Sequence, residues 1–409
     1  MNRLPALLAP LALGCHSTVH VDANVLSFLQ VSVLDELTAT QGAPFAFTDQ
    51  PVTYRVRVEA LDRNADPAPF RGTLSVKTQP GDLISDDEAT LVEGVWEGDV
   101  TLQYPFGPTH IWFTDDQGDD ETTIEHIDHP PWVEVRQGRA PTFVSGVSDA
   151  LWYELPTVAQ VQAYDDHEKG PLVGEYTSVR CVDRRVIVLA VGEDGMWVTD
   201  LDDPRGDYNS LYIYTYNKPE YATPEGDIVD EELSFAEAGQ RLASLGGGNQ
   251  EYLATTQLAF PQYDFYEGEI LEVPEPIVLE PDDLCSNEIM ERFEGNLVRA
   301  PGLTVPDFDY GEGSDFYEYG QWPLEFDAGG CELYAETSVS VPEYAPSEHI
   351  GEHLDYIQGM LMEVWGKWII LPRDADDISS ASRSRAPTSH PVIGPARPRA
   401  RSRSGQPRR

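Results

Sequence analysis

Residues 52–59 read Val-Thr-Tyr-Arg-Val-Arg-Val-Glu, and an apolar or aromatic side chain alternates with a polar one along the stretch. A period of two residues is that of a β-strand with one buried and one exposed face. Shorter runs rich in β-branched and aromatic residues follow at intervals of about ten residues. Glycines mark the turns between these runs: Gly72, Gly81, Gly94 and Gly107. The pattern predicts a β-sandwich.

The same region, residues 25–135, contains the pieces Leu61-Asp62, Phe70-Arg71-Gly72 and Ile111-Trp112-Phe113-Thr114-Asp115. Together they resemble the immunoglobulin-like domains of bacterial surface proteins. The resemblance implies a spacer or adhesion module, and it brings no catalytic residues. The prolines and polar residues that come next predict a linker over residues 136–147.

Residues 148–267 continue with strand-like runs in a different order. They resemble the OB-fold-like modules that accompany secreted bacterial nucleases and also occur in cell-surface lipoproteins, which implies a β-barrel with an accessory role. The resemblance makes residues 241–245 a strand, whereas Ser234 and Glu237 have the spacing of a helical capping box. We favour the strand, because Gly239 inside a helix would cost about 1 kcal/mol. Five pieces carry the resemblance: Gly174, Met196–Asp200, Tyr208–Tyr212, Gly239–Leu242 and Thr256–Pro261.

A second module of the same kind is predicted over residues 268–378. The ending Trp368–Ile378 resembles the terminus of these OB-like modules and is the most specific piece of the resemblance. We therefore expect an all-β chain, with an immunoglobulin-like β-sandwich followed by two OB-fold-like β-barrel modules. The strands of the second module are expected from these runs: Phe293–Val298, Gln321-Trp322, Leu354–Met362 and Lys367–Leu371.

The charge of the chain is strongly negative. Its 409 residues include 71 acids and 27 bases, and eight of the bases are arginines after residue 378. Residues 1–378 therefore carry 19 bases against 71 acids, a net charge of −52. Such a surface repels phosphate groups, so nucleic-acid binding by the folded part is disfavoured. Cation binding is compatible with it, although a solvated acidic surface is the simpler explanation.

The N-terminus combines one basic residue with an apolar run from Leu4 to Leu13, followed by Gly14-Cys15. The run is too short for a permanent transmembrane helix but suits a secretory signal. Its ending resembles a bacterial lipobox, which implies a signal peptide at residues 1–14, lipid on Cys15 and a tether over residues 15–24. The chain is then held in the cell envelope by membrane lipid, and His16 by the same resemblance favours the outer membrane. The alternative is an ordinary apolar N-terminus with a chance Gly-Cys.

Acylation of Cys15 would leave three further cysteines in an oxidising compartment. Cys285 and Cys331 fall within one predicted module, so we expect them to form a disulfide. Cys181 lies in an apolar strand-like run and is expected to be a buried free thiol.

Trp197, Tyr212, Tyr214 and Tyr216 are the candidates for a binding face. The three tyrosines share one face of a predicted strand. OB modules commonly bind ligands on their second and third strands and use aromatic side chains as stacking platforms. The alternative is that these rings pack against a neighbouring module.

Calcium is the one cofactor that the acidic loops suggest, because it prefers several hard oxygen ligands. Neither of two acidic groups has the EF-hand spacing, and solvated loop carboxylates explain both equally well. The groups are Asp200, Asp202, Asp203 and Asp207, and Asp307, Asp309, Glu312 and Asp315.

His349–His353 matches the inverted zinc-protease string His-x-x-Glu-His. This chemistry requires both histidines on one helical face, and Gly351 weakens a helix there. No nucleophile elbow, P-loop or dinucleotide fingerprint occurs in the sequence. We therefore expect no catalytic residues and no enzymatic activity.

Residues 379–409 contain eight arginines and no acid, a composition that predicts a disordered tail. It is either an arm that binds nucleic acid or the envelope, or a stretch translated out of frame, and we favour the second. The function expected for the whole chain is non-catalytic, namely binding or spacing toward an extracellular partner, glycan or cation. The alternative is an enzyme, or an accessory subunit of one, that acts on extracellular nucleic acid.

Overall fold

The computed structural model describes residues 26–114, 122–124, 133–135, 144–163, 172–221 and 234–380. Strands make up 50% of the chain and helices 9%. The chain is all-β, with a β-sandwich and two closed five-stranded barrels, which confirms the predicted fold class. None of the helices in the described part has both the length and the apolar character needed to cross a bilayer. The predicted signal peptide, Cys15 and nearly all of the arginine-rich tail lie outside the described residues.

The sandwich has two sheets, with strand orders β1-β2-β6-β4 and β10-β7-β3-β5, and β11 also pairs with β7. In β2 the predicted alternation is confirmed, since Tyr54, Val56 and Val58 are buried. Two further strands, β8 and β9, pair only with each other. The strands are β1 Phe28–Val33, β2 Val52–Leu61, β3 Gly72–Gln79, β4 Asp82–Leu83, β5 Glu88–Leu91, β6 Val95–Gln103, β7 Pro108–Thr114, β8 Thr122–Ile124, β9 Val133–Val135, β10 Gly146–Val147 and β11 Leu151–Trp152.

The sandwich extends beyond residue 135, the end that the sequence pattern predicts for it. β10 and β11 both pair with β7, so the sheet extends to Trp152 and not only to residue 135. Leu151 and Tyr153 belong to the sandwich core, and this burial explains why the chain returns to the sheet after the predicted linker.

The first barrel has the strand order β13-β14-β15-β19-β18 and is closed by pairing of β18 with β13. β15 and β19 pair in parallel, while the other neighbours are antiparallel. Residues 241–245 lie within β18, so the strand is confirmed over the helical alternative. The elements are α1 Val158–Gln162, β12 Tyr176–Val179, β13 Val186–Val191, β14 Gly195–Asp200, β15 Ser210–Tyr214, β16 Glu220–Tyr221, β17 Ser234–Phe235, β18 Gln240–Tyr252 and β19 Thr255–Ile270.

The second barrel has the corresponding strand order, β21-β22-β23-β25-β24, and is closed by pairing of β24 with β21. β23 and β25 form its parallel pair. The elements are β20 Ile277–Val278, α2 Asn287–Phe293, β21 Leu297–Thr304, α3 Asp315–Tyr319, β22 Gln321–Phe326, β23 Leu333–Glu336, β24 His353–Val364, β25 Lys367–Leu371 and β26 Ile378–Ser380, with 3-10 helices at Asp283–Cys285, Pro346–Glu348 and Ala375–Asp377.

The strand expected to open at Phe293 begins instead at Leu297, because Phe293 ends α2. Ser286 starts that helix, and its side chain accepts a hydrogen bond from the backbone N–H of Ile289. The predicted disulfide between Cys285 and Cys331 is present and ties the segment before α2 to the loop between β22 and β23. Cys181 is a buried free thiol, as predicted, and burial raises its pKa to about 12.

The barrels share an apolar cluster in addition to the core that each has of its own. Leu189, Trp197 and Tyr212 of the first barrel pack in this cluster with Leu297 and Met360 of the second. Because the shared side chains are almost completely buried, the two barrels contact each other over an apolar surface and not through charged groups alone.

Candidate functional site

A cavity of about 890 Å³ opens between the two barrels, and we call it the inter-barrel cleft. On the first barrel it is bordered by β14 and β15, by the turn that joins β13 to β14 and by the turn that joins β18 to β19. These are the second and third strands and the loops with which OB folds bind ligands. The cleft thus lies where the fold places a ligand site, and its volume is that of a small-molecule site.

One wall of the cleft is a row of neighbouring aromatic rings. The ring centroids are 4.8 Å apart for Trp197 and Tyr212, 6.4 Å for Tyr212 and Tyr214, and 4.4 Å for Tyr214 and Tyr216. Phe260 follows at 5.0 Å from Tyr216. We call these five residues the aromatic row. The structure therefore brings together all four predicted aromatic residues and adds a fifth.

Exposure changes along the aromatic row. Trp197 and Tyr212 are 7% and 6% exposed, because they pack against the second barrel. Tyr216 is 44% and Phe260 73% exposed. The packing alternative thus holds for the inner two rings, whereas the outer rings offer their faces to solvent or a ligand. Single exposed rings are common at protein surfaces, and Tyr216 and Phe260 differ in being neighbours that form one apolar patch.

The inner end of the aromatic row carries polar groups. The Tyr212 hydroxyl donates to Oδ1 of Asp194 at 2.9 Å, and burial raises the pKa of this tyrosine. The indole Nε1–H of Trp197 has no hydrogen-bond partner among the described residues, although its surroundings exclude it from solvent. A buried donor without an acceptor costs free energy.

Several residues at the rim of the cleft have left-handed backbone conformations that are costly for side chains other than glycine. Tyr216, Leu253, Phe260 and Trp365 have φ values of 67°, 59°, 50° and 53°. Leu253 and Trp365 lie in the turns of corresponding hairpins of the two barrels, and the backbone N–H of Trp365 donates to the carbonyl oxygen of Leu253. Leu253 and Trp365 are each the first residue of a two-residue hairpin turn, a position at which a positive φ is normal.

The second barrel supplies the opposite wall, with Gln321 on β22, Glu336 at the end of β23, and Met360 and Met362 on β24. Burial raises the pKa of Glu336, and the charge of Asp194 on the first barrel raises it further. These two carboxylates therefore act on each other across the cleft.

The first predicted calcium group does not form an open cation site. Asp200 and Asp203 both pair with Arg184, Asp202 pairs with Arg185 at 2.6 Å, and Asp207 pairs with Arg292 at 2.9 Å. Each predicted ligand thus already has an arginine partner. The sequence pattern did not reveal this, because Arg184 and Arg185 lie in the turn before β13 and Arg292 lies on α2.

Two carboxylates of the second acidic group also have partners within the protein. Asp309 accepts from the backbone N–H of Gly311 at 2.9 Å, and Asp315 pairs with Lys367. Within the described part of the chain, no group of three or more His, Cys, Asp or Glu side chains is arranged to hold a metal ion.

The His-x-x-Glu-His string is not helical. His349 and Glu352 lie in a turn, and His353 begins β24. His349 stacks on Tyr344, with ring centroids 4.5 Å apart, and its Nδ1 contacts Glu352. His353 instead pairs with Asp327 at 2.8 Å. The two histidines therefore contact different carboxylates. The lack of a helix agrees with the prediction made from Gly351.

A feature that the sequence did not predict lies where the barrels meet. Four glutamates come together there: Glu251 from β18, Glu291 and Glu294 from α2 and its end, and Glu363 from β24. Burial, reinforced by the neighbouring glutamates, raises the pKa of Glu251 to about 6 and that of Glu291 to about 8. We call this set the glutamate cluster.

Glu294 is the most deeply buried member of the glutamate cluster, and burial raises its pKa well above the usual value. Its Oε2 accepts from Nε2 of Gln162 at 2.5 Å and from the backbone N–H of Thr256 at 3.3 Å. Its Oε1 has no partner among the described residues. A carboxyl in such a place is held in its neutral form near neutral pH.

Comparison of the chain with protein-family models, with curated proteins and with solved structures finds no match. The site is thus defined by its own geometry. Sequence reasoning did not find Phe260 or Glu336 as site residues. Phe260 reaches the aromatic row only through the parallel pairing of β15 with β19, and Glu336 reaches the cleft only through the packing of the two barrels.

Proposed function

We propose that this chain is a lipid-anchored protein of the cell envelope that binds an oligosaccharide in the inter-barrel cleft without altering it chemically. The observation that carries the proposal is the aromatic row, whose exposed end opens into the cleft at the ligand-binding face of an OB-like barrel. Aromatic side chains stack on flat ligand faces, and the row offers several such faces in succession.

Hydroxyl groups of a sugar suit the polar lining of the cleft, because a hydroxyl both donates and accepts. The hydroxyls of Tyr214 and Tyr216 in the lining can donate to an acceptor on the ligand. The carboxylates of Asp194 and Glu336 can accept from ligand donors, in addition to the bonds that they accept from Tyr212 and Ser338. An oligosaccharide supplies both at several points. A single-stranded nucleic acid would also stack on the rings, but its phosphates would meet three carboxylates in the cleft and a strongly acidic chain.

The proposal is tested by titrating the full chain with neutral tetrasaccharides while tyrosine and tryptophan fluorescence is recorded. Tyr216→Ala and Phe260→Ala should each weaken binding by about tenfold or more, the equivalent of one lost stacking contact. Tyr310→Ala is the matched control, because Tyr310 is similarly exposed but does not line the cleft. If no saccharide changes the fluorescence or melting temperature, saccharide binding is refuted.

A second candidate function is glycoside hydrolysis, favoured by the positions of Asp194 and Glu336 on opposite walls of the cleft. Glycosidases use a pair of carboxyl groups, one of which acts as acid with a raised pKa. Chromatography of the oligosaccharide after long incubation distinguishes the two functions. Intact sugar supports simple binding, whereas cleavage that Glu336→Gln abolishes would assign catalysis to the cleft.

The anchor is a separate part of the proposal and rests on Cys15 and the apolar run before it. Expression of the whole chain in a bacterium, followed by mass spectrometry, should find the mature N-terminus at Cys15 with acyl chains attached. Cys15→Ser should release the protein from the membrane fraction, since lipid on that thiol is the proposed attachment. A wild-type chain that retains Met1 and carries no fatty acid would refute the anchor and leave the cleft proposal intact.

A further inference from the structure

The charges that line the inter-barrel cleft point to a particular class of sugar. Glu193, Asp194 and Glu336 are the carboxylates among the described residues of its lining, and Arg373 is the single basic residue there. The Arg373 guanidinium donates to both carboxylate oxygens of Asp377, each at 2.9 Å, so its charge is already balanced within the second barrel. The lining as a whole is therefore negative.

Glu193 and Asp194 occupy the turn between β13 and β14 of the first barrel, whereas Glu336 ends β23 of the second. The carboxylates thus approach the cleft from two opposite walls. Carboxylates of like charge on facing walls of one cleft repel each other. A positive group between the walls would remove this repulsion and form charge-assisted hydrogen bonds.

We propose that the oligosaccharide bound in this cleft carries protonated amino groups, as a glucosamine oligomer does. The inference rests on the proposed function and names the substrate class. The ammonium groups lie between Asp194 and Glu336, while the apolar faces of the sugar rings stack on the aromatic row. An anionic sugar is excluded by the same carboxylates, because like charges in a partly dry cleft repel strongly.

A lysine side chain could also place an ammonium group between the carboxylates. Its four-carbon stem is flexible, however, and offers no ring face to stack on the aromatic row. The rings are also spread along a row and do not enclose one point, as an aromatic cage for a single cation would. The geometry thus favours a chain of rings over an isolated cationic side chain.

The test uses three tetrasaccharides with the same β-1,4 backbone, which carry an amine, an acetamide or a hydroxyl at the second carbon. Binding to the full chain is measured near pH 6 by calorimetry. The amine form should bind at least about tenfold more tightly than the hydroxyl form, the equivalent of one charge-assisted hydrogen bond. The preference should shrink in high salt and in Asp194→Asn and Glu336→Gln. Glu237→Gln, an exposed carboxylate of the same barrel outside the cleft, should keep it.

The outcomes separate this inference from the proposed function. If the hydroxyl form binds as tightly as the amine form, the charge preference is wrong and saccharide binding still stands. If none of the three binds, the proposed function fails together with the inference. A tetralysine peptide that displaces the bound amine sugar at a lower concentration than free amine sugar would overturn the saccharide class in favour of a peptide.

Discussion

Position 195 shows how one glycine shapes the aromatic row. A Cβ built on Gly195 would lie 2.5 Å from the Tyr212 hydroxyl and 2.6 Å from the carbonyl oxygen of Ile213. Tyr212 therefore lies across the neighbouring strand only because position 195 has no side chain. We expect Gly195→Ala to destabilise the protein by about 1–3 kcal/mol, the usual cost of forcing extra volume into a packed site. Urea unfolding followed by tryptophan fluorescence measures the change.

Gly248→Ala is the matched control for that substitution. Its added Cβ would have the nearest atom at 3.6 Å, which is an ordinary contact. Both changes add one methyl group to a strand of the same barrel, so the difference between them isolates the contact with Tyr212 and Ile213. Equal unfolding midpoints for the two variants would show that the Tyr212 ring moves aside without cost.

The aromatic row should also separate into residues that stabilise the fold and residues that serve binding. Trp197 packs in the cluster between the barrels, so Trp197→Ala should cost about 3–5 kcal/mol of unfolding free energy. Phe260 is 73% exposed, so Phe260→Ala should change stability by about 0.5 kcal/mol or less. Thermal and urea unfolding of the two variants test this division, and a large loss of stability in Phe260→Ala would contradict it.

At the scale of strands, the sequence predicts what local pattern determines. The alternation in residues 52–59 is a property of one strand and its buried face, and β2 follows it residue by residue. The helix α2 was missed although the sequence carries its signals, namely a capping serine followed by apolar residues three and four positions apart. Arg184 and Asp200 illustrate a different limit, since their pairing depends on which strands are neighbours and how they are registered.

The residues of the candidate site were likewise predicted only where a local sequence pattern determines them. Tyr212, Tyr214 and Tyr216 were identified from strand periodicity, because alternate residues of one strand share a face, and Trp197 was identified from the resemblance to OB modules. Phe260 and Glu336 were not, since they come from a parallel pairing and from the contact between barrels, which no local pattern encodes.

The disulfide between Cys285 and Cys331 joins residues 46 positions apart. Closing a loop of this length in the unfolded chain corresponds to roughly 4 kcal/mol, and measured losses on removing such a bond are typically 2–5 kcal/mol. We therefore expect Cys285→Ser with Cys331→Ser to lower the unfolding free energy by roughly that amount, as measured in urea. Reductant should destabilise the wild type similarly and have no further effect on the double variant, which is the control. Equal urea midpoints for the oxidised wild type and the double variant would contradict the prediction.

At the scale of the molecule, the distribution of charge is uneven in a way that the net charge does not reveal. Several acids are paired singly with arginines, as buried Asp200 is with Arg184 and exposed Asp207 is with Arg292. The glutamate cluster is the exception, because it brings four acids together at the contact between the barrels. Stability of the assembled barrels is therefore linked to the protons that this cluster holds.

The sign of that linkage follows from the raised pKa values. The folded protein binds protons at Glu251 and Glu291 up to about pH 6 and 8, respectively, whereas the unfolded chain loses them near the ordinary value of 4.5. The stability that the cluster contributes is complete below about pH 4.5 and is lost as the pH rises toward 8. We expect the urea midpoint to fall between pH 5 and pH 8, by an amount equivalent to a few kcal/mol.

Glu294→Gln tests the origin of this pH dependence within the same fold. The amide is neutral at every pH and keeps an oxygen that can accept from Gln162 and Thr256. The variant should match the wild type near pH 5, exceed its stability near pH 8 and show a shallower slope between them. Glu88→Gln, on the surface of the sandwich, should leave the slope unchanged. A wild-type midpoint that rises from pH 5 to pH 8 would mean that these glutamates are ionised in the folded protein, with a cation or water balancing them.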